Sequence, residues 1–247
     1  MSGHSKWSTI KRKKGANDAK RGKLFAKLIR GIEVAARNGG TDPNNNASLY
    51  QAISKAKSNS VPNDNIERAL KRLSGDTDGK HYEEIYYEGY GPHGVAILVE
   101  CLTDNKNRTS SDIKAIFTRH NGNTGTPGSV NYLFKRKAIF QFNNTSETLI
   151  NLAIDNDCLE INENNNSLNL EFKPSEFKII YELFKKNNYI PTNSEVAYIP
   201  DTSIMLDIKM FRDVTRLIEA LEELDDVQNV YSNFDIDDKL LDTALTI

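Results

Sequence analysis

The apolar residues of this 247-residue chain change their spacing near residue 80, and that change constrains the fold more than any bulk property. Before it they recur at helical intervals. Leu24, Phe25, Leu28, Ile29, Ile32, Ala35 and Ala36 fall within an arc of about 140° on a helical wheel, after an Asn17-Asp18 cap and before an Asn38-Gly39-Gly40 stop. A second helix is predicted from Thr41-Asp42-Pro43, with Pro43 in its first turn, burying Leu49, Ala52, Ile53 and Ala56. A third has Asp64 three residues before Glu67, a capping-box arrangement, with Ile66, Ala69, Leu70 and Leu73 inward and Ser74-Gly75 as its end.

Beyond residue 80 strand patterns alternate with helical ones. Strands are predicted at 86–90, 95–102 and 130–134, with a helix at 110–119, a βαβ-like progression. A second progression follows: a strand at 138–142, a helix at 146–154, a hairpin turning at Asn164-Asn165-Asn166, a helix at 174–186 and a strand at 196–199. A late helix at 211–224 and a strand at 227–231 remain without neighbours. The first progression lacks a closing helix and strand, so the simplest topology lets the late elements complete it. Three domains follow: a basic tail and helical domain at 1–79, a discontinuous α+β domain at 80–134 plus 206–247, and an inserted α+β domain at 135–205.

Charge divides along nearly the same line. Residues 1–72 carry 16 Lys+Arg against 5 Asp+Glu, whereas the remainder carries 16 against 29, so a formal net charge of −2 hides a strong dipole. Such asymmetry points to a polyanionic partner for the basic part, with the acidic part serving solubility or docking a protein. On the first helix Lys20, Lys23, Lys27, Arg30 and Arg37 share an arc of about 100°, which predicts a basic stripe facing solvent and continuing the Lys11-Arg12-Lys13-Lys14 cluster of the tail. The acidic run Glu219-Ala220-Leu221-Glu222-Glu223-Leu224-Asp225-Asp226 sits where acids oppose a helix macrodipole; it reads as a solvated helix end or as a partner surface.

Chemical signals are sparse. Cys101 and Cys158 have no metal-ligand spacing and are expected as free thiols in a reducing cytosol, and the four histidines are scattered, so no metal or cofactor is predicted. The Gly89-Tyr90-Gly91-Pro92-His93-Gly94 stretch matches GxGxxG but opens a strand rather than a helix, which favours a hairpin turn over a dinucleotide loop. Thr103-Asp104-Asn105-Lys106-Asn107-Arg108-Thr109 lies where a buried strand meets a helix, a common ligand position, yet caps explain its Asn, Thr and Ser content more simply. No nucleophile motif or Walker loop is present, so an enzyme is not predicted. No apolar run reaches the roughly 20 residues of a membrane span, and the polar N-terminus lacks a signal-peptide core, which predicts a soluble, cytoplasmic protein without a membrane partner.

The tail reads either as a solubilising, disordered extension or as a nucleic-acid-binding arm, and its composition favours the second. It interleaves its cations with Trp7, His4 and the permissive Gly3 and Gly15, and aromatic stacking on a base is worth about 1 to 3 kcal/mol beside phosphate neutralisation. That chemistry suits RNA or DNA without choosing between them.

Long stretches in order, GHSKWSTIKRKKGANDAKRGKLFAKLIR, EVAARNGG, PNDNIERALKR, YEEIYYEGYGPHGVAILVECLTDNKNRT and LDDVQNVYSNFDI, resemble the YebC family, whose mitochondrial relative is the translational activator of cytochrome c oxidase. The resemblance implies an α+β protein: an N-terminal three-helix domain followed by two α+β, ferredoxin-like domains, one inserted in the other. It also implies one of two functions. One is DNA-binding transcriptional regulation; the other is a ribosome-associated, ribosomal-RNA-binding translation factor that assists synthesis of proline-rich stretches. Within the matching motif and the helix behind it, His4, Lys6, Trp7, Lys11, Arg12, Lys13, Lys14, Lys20, Lys23, Lys27 and Arg30 are the candidate nucleic-acid-binding residues.

Overall fold

A computed structural model describes residues 18–73, 82–164, 167–237 and Leu240, with backbone alone at 18–20 and 164. The described residues are α+β and fall into two compact units, one drawn from 1–27, 79–135 and 198–247, the other from 28–78 and 136–197. The first helix, α1 (Asp18–Gly39), contributes to both, as do the strands β4 (Phe134–Phe142) and β7 (Asn193–Pro200).

In the first unit β1 (Glu83–Tyr90) and β2 (Ala96–Thr103) pair antiparallel along their whole length, Glu83 opposite Thr103 and Tyr90 opposite Ala96. The GxGxxG stretch is therefore a hairpin connection, a 3₁₀ turn at Pro92–Gly94 with His93 and Gly94 at φ 63° and 76°. Its glycines answer packing demands. A Cβ on Gly89 would lie 2.6 Å from the Asn123 carbonyl and 2.8 Å from the Phe117 ring, and one on Gly91 would lie 2.9 Å from Ile97. Gly89→Ala is expected to cost about 1 to 3 kcal/mol, read as a lowered denaturation midpoint.

Two helices, α4 (Lys106–Arg119) and α7 (Ile208–Glu222), cover the face of this sheet that carries Ile97, Val99 and Cys101. Ile113 and Phe117 from α4 and Phe211, Val214, Leu217, Ile218 and Leu221 from α7 complete the core, all buried. The late strand β9 (Val227–Ser232), which follows the two-residue β8 (Ile204–Met205), pairs antiparallel with β2 and the short β3 (Asn123–Thr124) with β1, giving the order β3-β1-β2-β9. As the sequence topology requires, the last helix and strand close the first sheet.

Two expectations are corrected here. The βαβ-like progression does not form, since the helix after β2 leads to β3, which pairs antiparallel with β1, while the hairpin turn expected between the first two strands is present. Residues 130–134 do not make a strand: a 3₁₀ turn spans Asn131–Leu133 and β4 begins at Phe134. The cause is Glu88, whose buried carboxylate accepts the amides of Gly128, Val130 and Asn131 at 2.7, 2.6 and 2.7 Å, removing from strand pairing the donors a ladder would need.

The second unit contains β4, α5 (Glu147–Ile154), β5 (Glu160–Asn164), β6 (Ser167–Phe172), α6 (Phe177–Lys186) and β7 in βαββαβ order. Its sheet runs β5-β6-β4-β7, the ferredoxin-like arrangement. Ala138, Phe140 and Phe142 of β4, Leu168, Leu170 and Phe172 of β6, and Phe177, Ile180 and Phe184 of α6 make its core.

The helices α2 (Ala47–Ser58) and α3 (Asn63–Leu73) belong to this unit. The start predicted at Thr41-Asp42-Pro43 is corrected to Ala47. Asp42 instead holds a turn through the Asn44 amide and the Asn45 side chain. Asn46 is the true cap: its Oδ1 accepts the Leu49 amide at 3.0 Å, while its Nδ2 donates to the carbonyls of Ala35 and Gly40, closing the end of α1 as well. Arg72 ties α3 to α1 through Glu33 at 2.9 Å. Tyr50 of α2 packs against Phe177 and Tyr181 of α6 and donates its hydroxyl proton to Glu182 at 2.7 Å, with the Lys178 ammonium over its ring.

Candidate nucleic-acid interface

The candidate cations divide between described and undescribed residues. His4, Lys6, Trp7, Lys11, Arg12, Lys13 and Lys14 lie outside the described residues, as does the side chain of Lys20. Lys23, Lys27 and Arg30 stand on α1 at the helical spacing expected for one stripe.

That stripe does not face solvent throughout. The Lys27 ammonium donates to the backbone carbonyl of Glu222 at 2.6 Å, and Lys23 pairs with the Glu223 carboxylate at 3.4 Å. These contacts explain an oddity of the sequence. The last turn of α7 carries no basic residue, yet its carbonyls hold partial negative charge and Glu219, Glu222, Glu223 and Asp225 stand at that end. The missing cations come from α1, almost two hundred residues away in sequence. Arg30 is half-buried, while Arg37 in the last turn of α1 is exposed.

On α3 the exposed Arg68, Lys71 and Arg72 share one side, adding positive charge to the helical segment that the sequence reading left unassigned. Their i, i+3, i+4 spacing was available as a signal.

The 103–109 stretch resolves into caps and one buried carboxylate. Asn105 caps α4 by accepting the Arg108 amide at 3.1 Å, and the Asn105 amide donates to the Thr103 hydroxyl. Asp226 Oδ2 accepts from Arg108 at 2.7 Å, from the Thr109 hydroxyl at 2.8 Å and from the Thr103 hydroxyl at 3.1 Å; Arg108 also reaches Asp104. Burial works to raise the Asp226 pKa, but Arg108 and the two hydroxyls outweigh it and hold the group below the ordinary aspartate range. Asp104 thus serves as a partner of Arg108 in a structural network that ties β2 and α4 to the end of α7.

Because folding depresses the Asp226 pKa, its contribution to stability is fully present above the unfolded value near 4 and is lost as pH falls through the folded value. Asp226→Asn is expected to cost about 1 to 3 kcal/mol at pH 7. Denaturant titrations should show the gap from the unmodified protein starting to narrow as pH falls through about 4, where the unfolded carboxylate takes up its proton, and closing only below the depressed native value. Glu88 follows the same sign: burial pushes its pKa up, three amides pull it down further, and the net shift is downward.

Among the described residues no group of three or more His, Cys, Asp or Glu is placed to hold a metal ion. His93 meets Asp213 at 3.1 Å, and Asp213 also pairs with Arg216 at 4.0 Å. Both cysteines are free, and burial pushes the Cys101 thiol up to about 12, the opposite of what a nucleophile needs. No described helix is long and apolar enough to cross a membrane.

Comparison with known proteins identifies the family. Residues 5–76 match the model of the TACO1/YebC protein N-terminal domain, and residues 82–234 that of the TACO1/YebC second and third domain. A "Probable transcriptional regulatory protein" of Nocardia farcinica is 49% identical over 245 residues, 98% of each chain. One of the same name from Geotalea uraniireducens is 46% identical over 247 residues, covering 99% of this chain and 100% of the relative. Among solved structures, a conserved hypothetical protein from Aquifex aeolicus superposes with a TM-score of 0.79 at 40% identity, over 90% of this chain and 93% of that one. Matched by both domain models and by full-length relatives, the chain belongs to the TACO1/YebC family.

Proposed function

We propose that this protein is a non-enzymatic, nucleic-acid-binding regulator of gene expression, acting on promoter DNA as a transcriptional regulator. The observation that carries this is the charge segregation: 16 cations against 5 acids in residues 1–72 of a chain that is acidic overall. The names of the full-length relatives support the regulatory part. Lys6, Lys11, Arg12, Lys13, Lys14, Lys20, Lys23, Lys27 and Arg30 neutralise phosphates, and His4 and Trp7 hydrogen-bond to or stack on bases. The domain division at 1–79, 80–134 plus 206–247, and 135–205 is part of the proposal, as are a cytoplasmic location, the absence of a cofactor, and a protein partner on the acidic C-terminal surface.

A second reading has its own support. An aromatic residue set among tail cations suits the unpaired, splayed bases of ribosomal RNA, and no recognition-helix signature stands in the sequence. On this reading the protein docks on the ribosome and assists synthesis of proline-rich stretches. Crosslinking in cells followed by sequencing of the attached nucleic acid separates the two. Enrichment of promoter DNA supports the first, enrichment of ribosomal RNA with sedimentation on ribosomal subunits supports the second, and recovery of neither overturns both.

A further inference from the structure

We propose that the acidic end of α7 is a built-in competitor for nucleic-acid phosphates, occupying Lys23 and Lys27 until a polyanion displaces it. The inference rests on the nucleic-acid reading above and adds to it a price that every ligand meets. Lys27 donates to the Glu222 carbonyl at 2.6 Å, a contact of the kind a phosphate oxygen would make, and Lys23 forms a looser ion pair with the Glu223 carboxylate at 3.4 Å. The acceptor is also well charged: Glu219, Glu222, Glu223 and Asp225 cluster at the negative end of a 15-residue helix whose own last turn supplies no cation.

Both partners of this contact gain from it, which makes the competition two-sided. Lys23 and Lys27 stabilise the end of α7, and α7 lowers the positive potential that a phosphate chain would meet on α1. By linkage, a nucleic acid that claims these lysines must loosen the α7 end by the same free energy with which that end weakens binding. Half of the Lys23 and Glu223 side-chain surface is accessible, so the contact is open to displacement rather than locked in a core. A ligand of low charge density would be resisted more than a dense phosphate polymer, which releases counterions as it binds. Asp226 is not part of the device, since Thr103, Thr109 and Arg108 hold it.

The test uses the full chain carrying E219Q, E222Q, E223Q and D225N together, a second variant with K23Q and K27Q, and their combination. Affinity for a labelled single-stranded RNA and a labelled DNA duplex is measured at low and high salt. The acid-neutralised protein is expected to bind about three- to tenfold more tightly at low salt, with the gain fading as salt rises. In the K23Q/K27Q background the gain should largely vanish; a gain that persists there comes from net charge alone and overturns the proposal.

Mass-spectrometric acetylation rates of Lys23 and Lys27 provide a readout without nucleic acid. The Lys23 rate should rise in the acid-neutralised variant and the Lys27 rate rise less, because its main-chain acceptor on Glu222 remains, while the melting midpoint stays near that of the unmodified protein. Unchanged rates mean that the acids do not hold the lysines, and raised rates with unchanged affinity mean that release is not linked to binding; either sinks the inference. Failure of the unmodified protein to bind either nucleic acid would instead sink the underlying function.

Discussion

Reversing the charge of Lys11, Arg12, Lys13 and Lys14 together is expected to abolish nucleic-acid binding at physiological salt while leaving the folded units intact. Each phosphate neutralised by a lysine or arginine contributes roughly 0.7 to 0.9 to the slope of log affinity against log salt concentration, so four contacts account for about a thousandfold at 0.1 M salt. Glutamates in their place add repulsion to that loss. The four positions precede α1 in the sequence and are all strongly hydrophilic cations, so the melting midpoint is expected to hold. Binding isotherms over a salt series give the decisive number. A variant whose slope matches the unmodified protein would show that these cations touch no phosphate.

The largest effect on stability is expected from Phe184→Ala in the second core. Phe184 is fully buried, and its ring centroid lies 5.3 Å from Phe140, 5.2 Å from Phe142 and 6.0 Å from Phe172, all edge-on. Removing it strips partners from three aromatic rings at once and leaves a void that a sheet on one side and a helix on the other cannot easily fill. A loss of about 3 to 5 kcal/mol is expected, measured by denaturant unfolding. Because Phe177 and Tyr181 on the same helix hold Tyr50, the loss should also loosen α2, which hydrogen exchange at its amides would report.

How far these features were legible in the sequence depends on how far apart the partners are. The inward residues Leu28, Ile32 and Ala36 of α1, the buried run of β2 and the closing role of β9 follow from periodicity and from counting unpaired elements, because each rests on a local pattern. The start of α2 went astray because two helix-start signals compete within five residues. Pro43 fits a first helical turn, but Asp42 spends its carboxylate on a turn and Asn46 takes the cap. Residues 130–134 read as a strand because Val130, Tyr132 and Phe134 alternate; the override comes from Glu88, over forty residues upstream.

The candidate interface was legible as composition and only partly as geometry. Its cations announce themselves by number, but that Lys23 and Lys27 sit on the acidic end of α7 could not be foreseen, since the pattern of each helix is complete without the other. The acids opposing the α7 dipole were the one hint. An unfavourable local arrangement in a sequence asks for a distant compensation, and here two lysines provide it.

The seating of Tyr50 against α6 has a consequence for how the chain is made. Glu182, which receives its hydroxyl proton, lies 132 residues further on, so a nascent chain elongating at about 5 to 20 residues per second must wait on the order of ten seconds between exposing α2 and offering it a seat. At the start of that interval the most cationic part of the molecule has been made and most of the acidic part has not. The newborn chain passes through a strongly positive stage, beside a particle built largely of phosphate, and only later acquires the charge that brings it close to neutral.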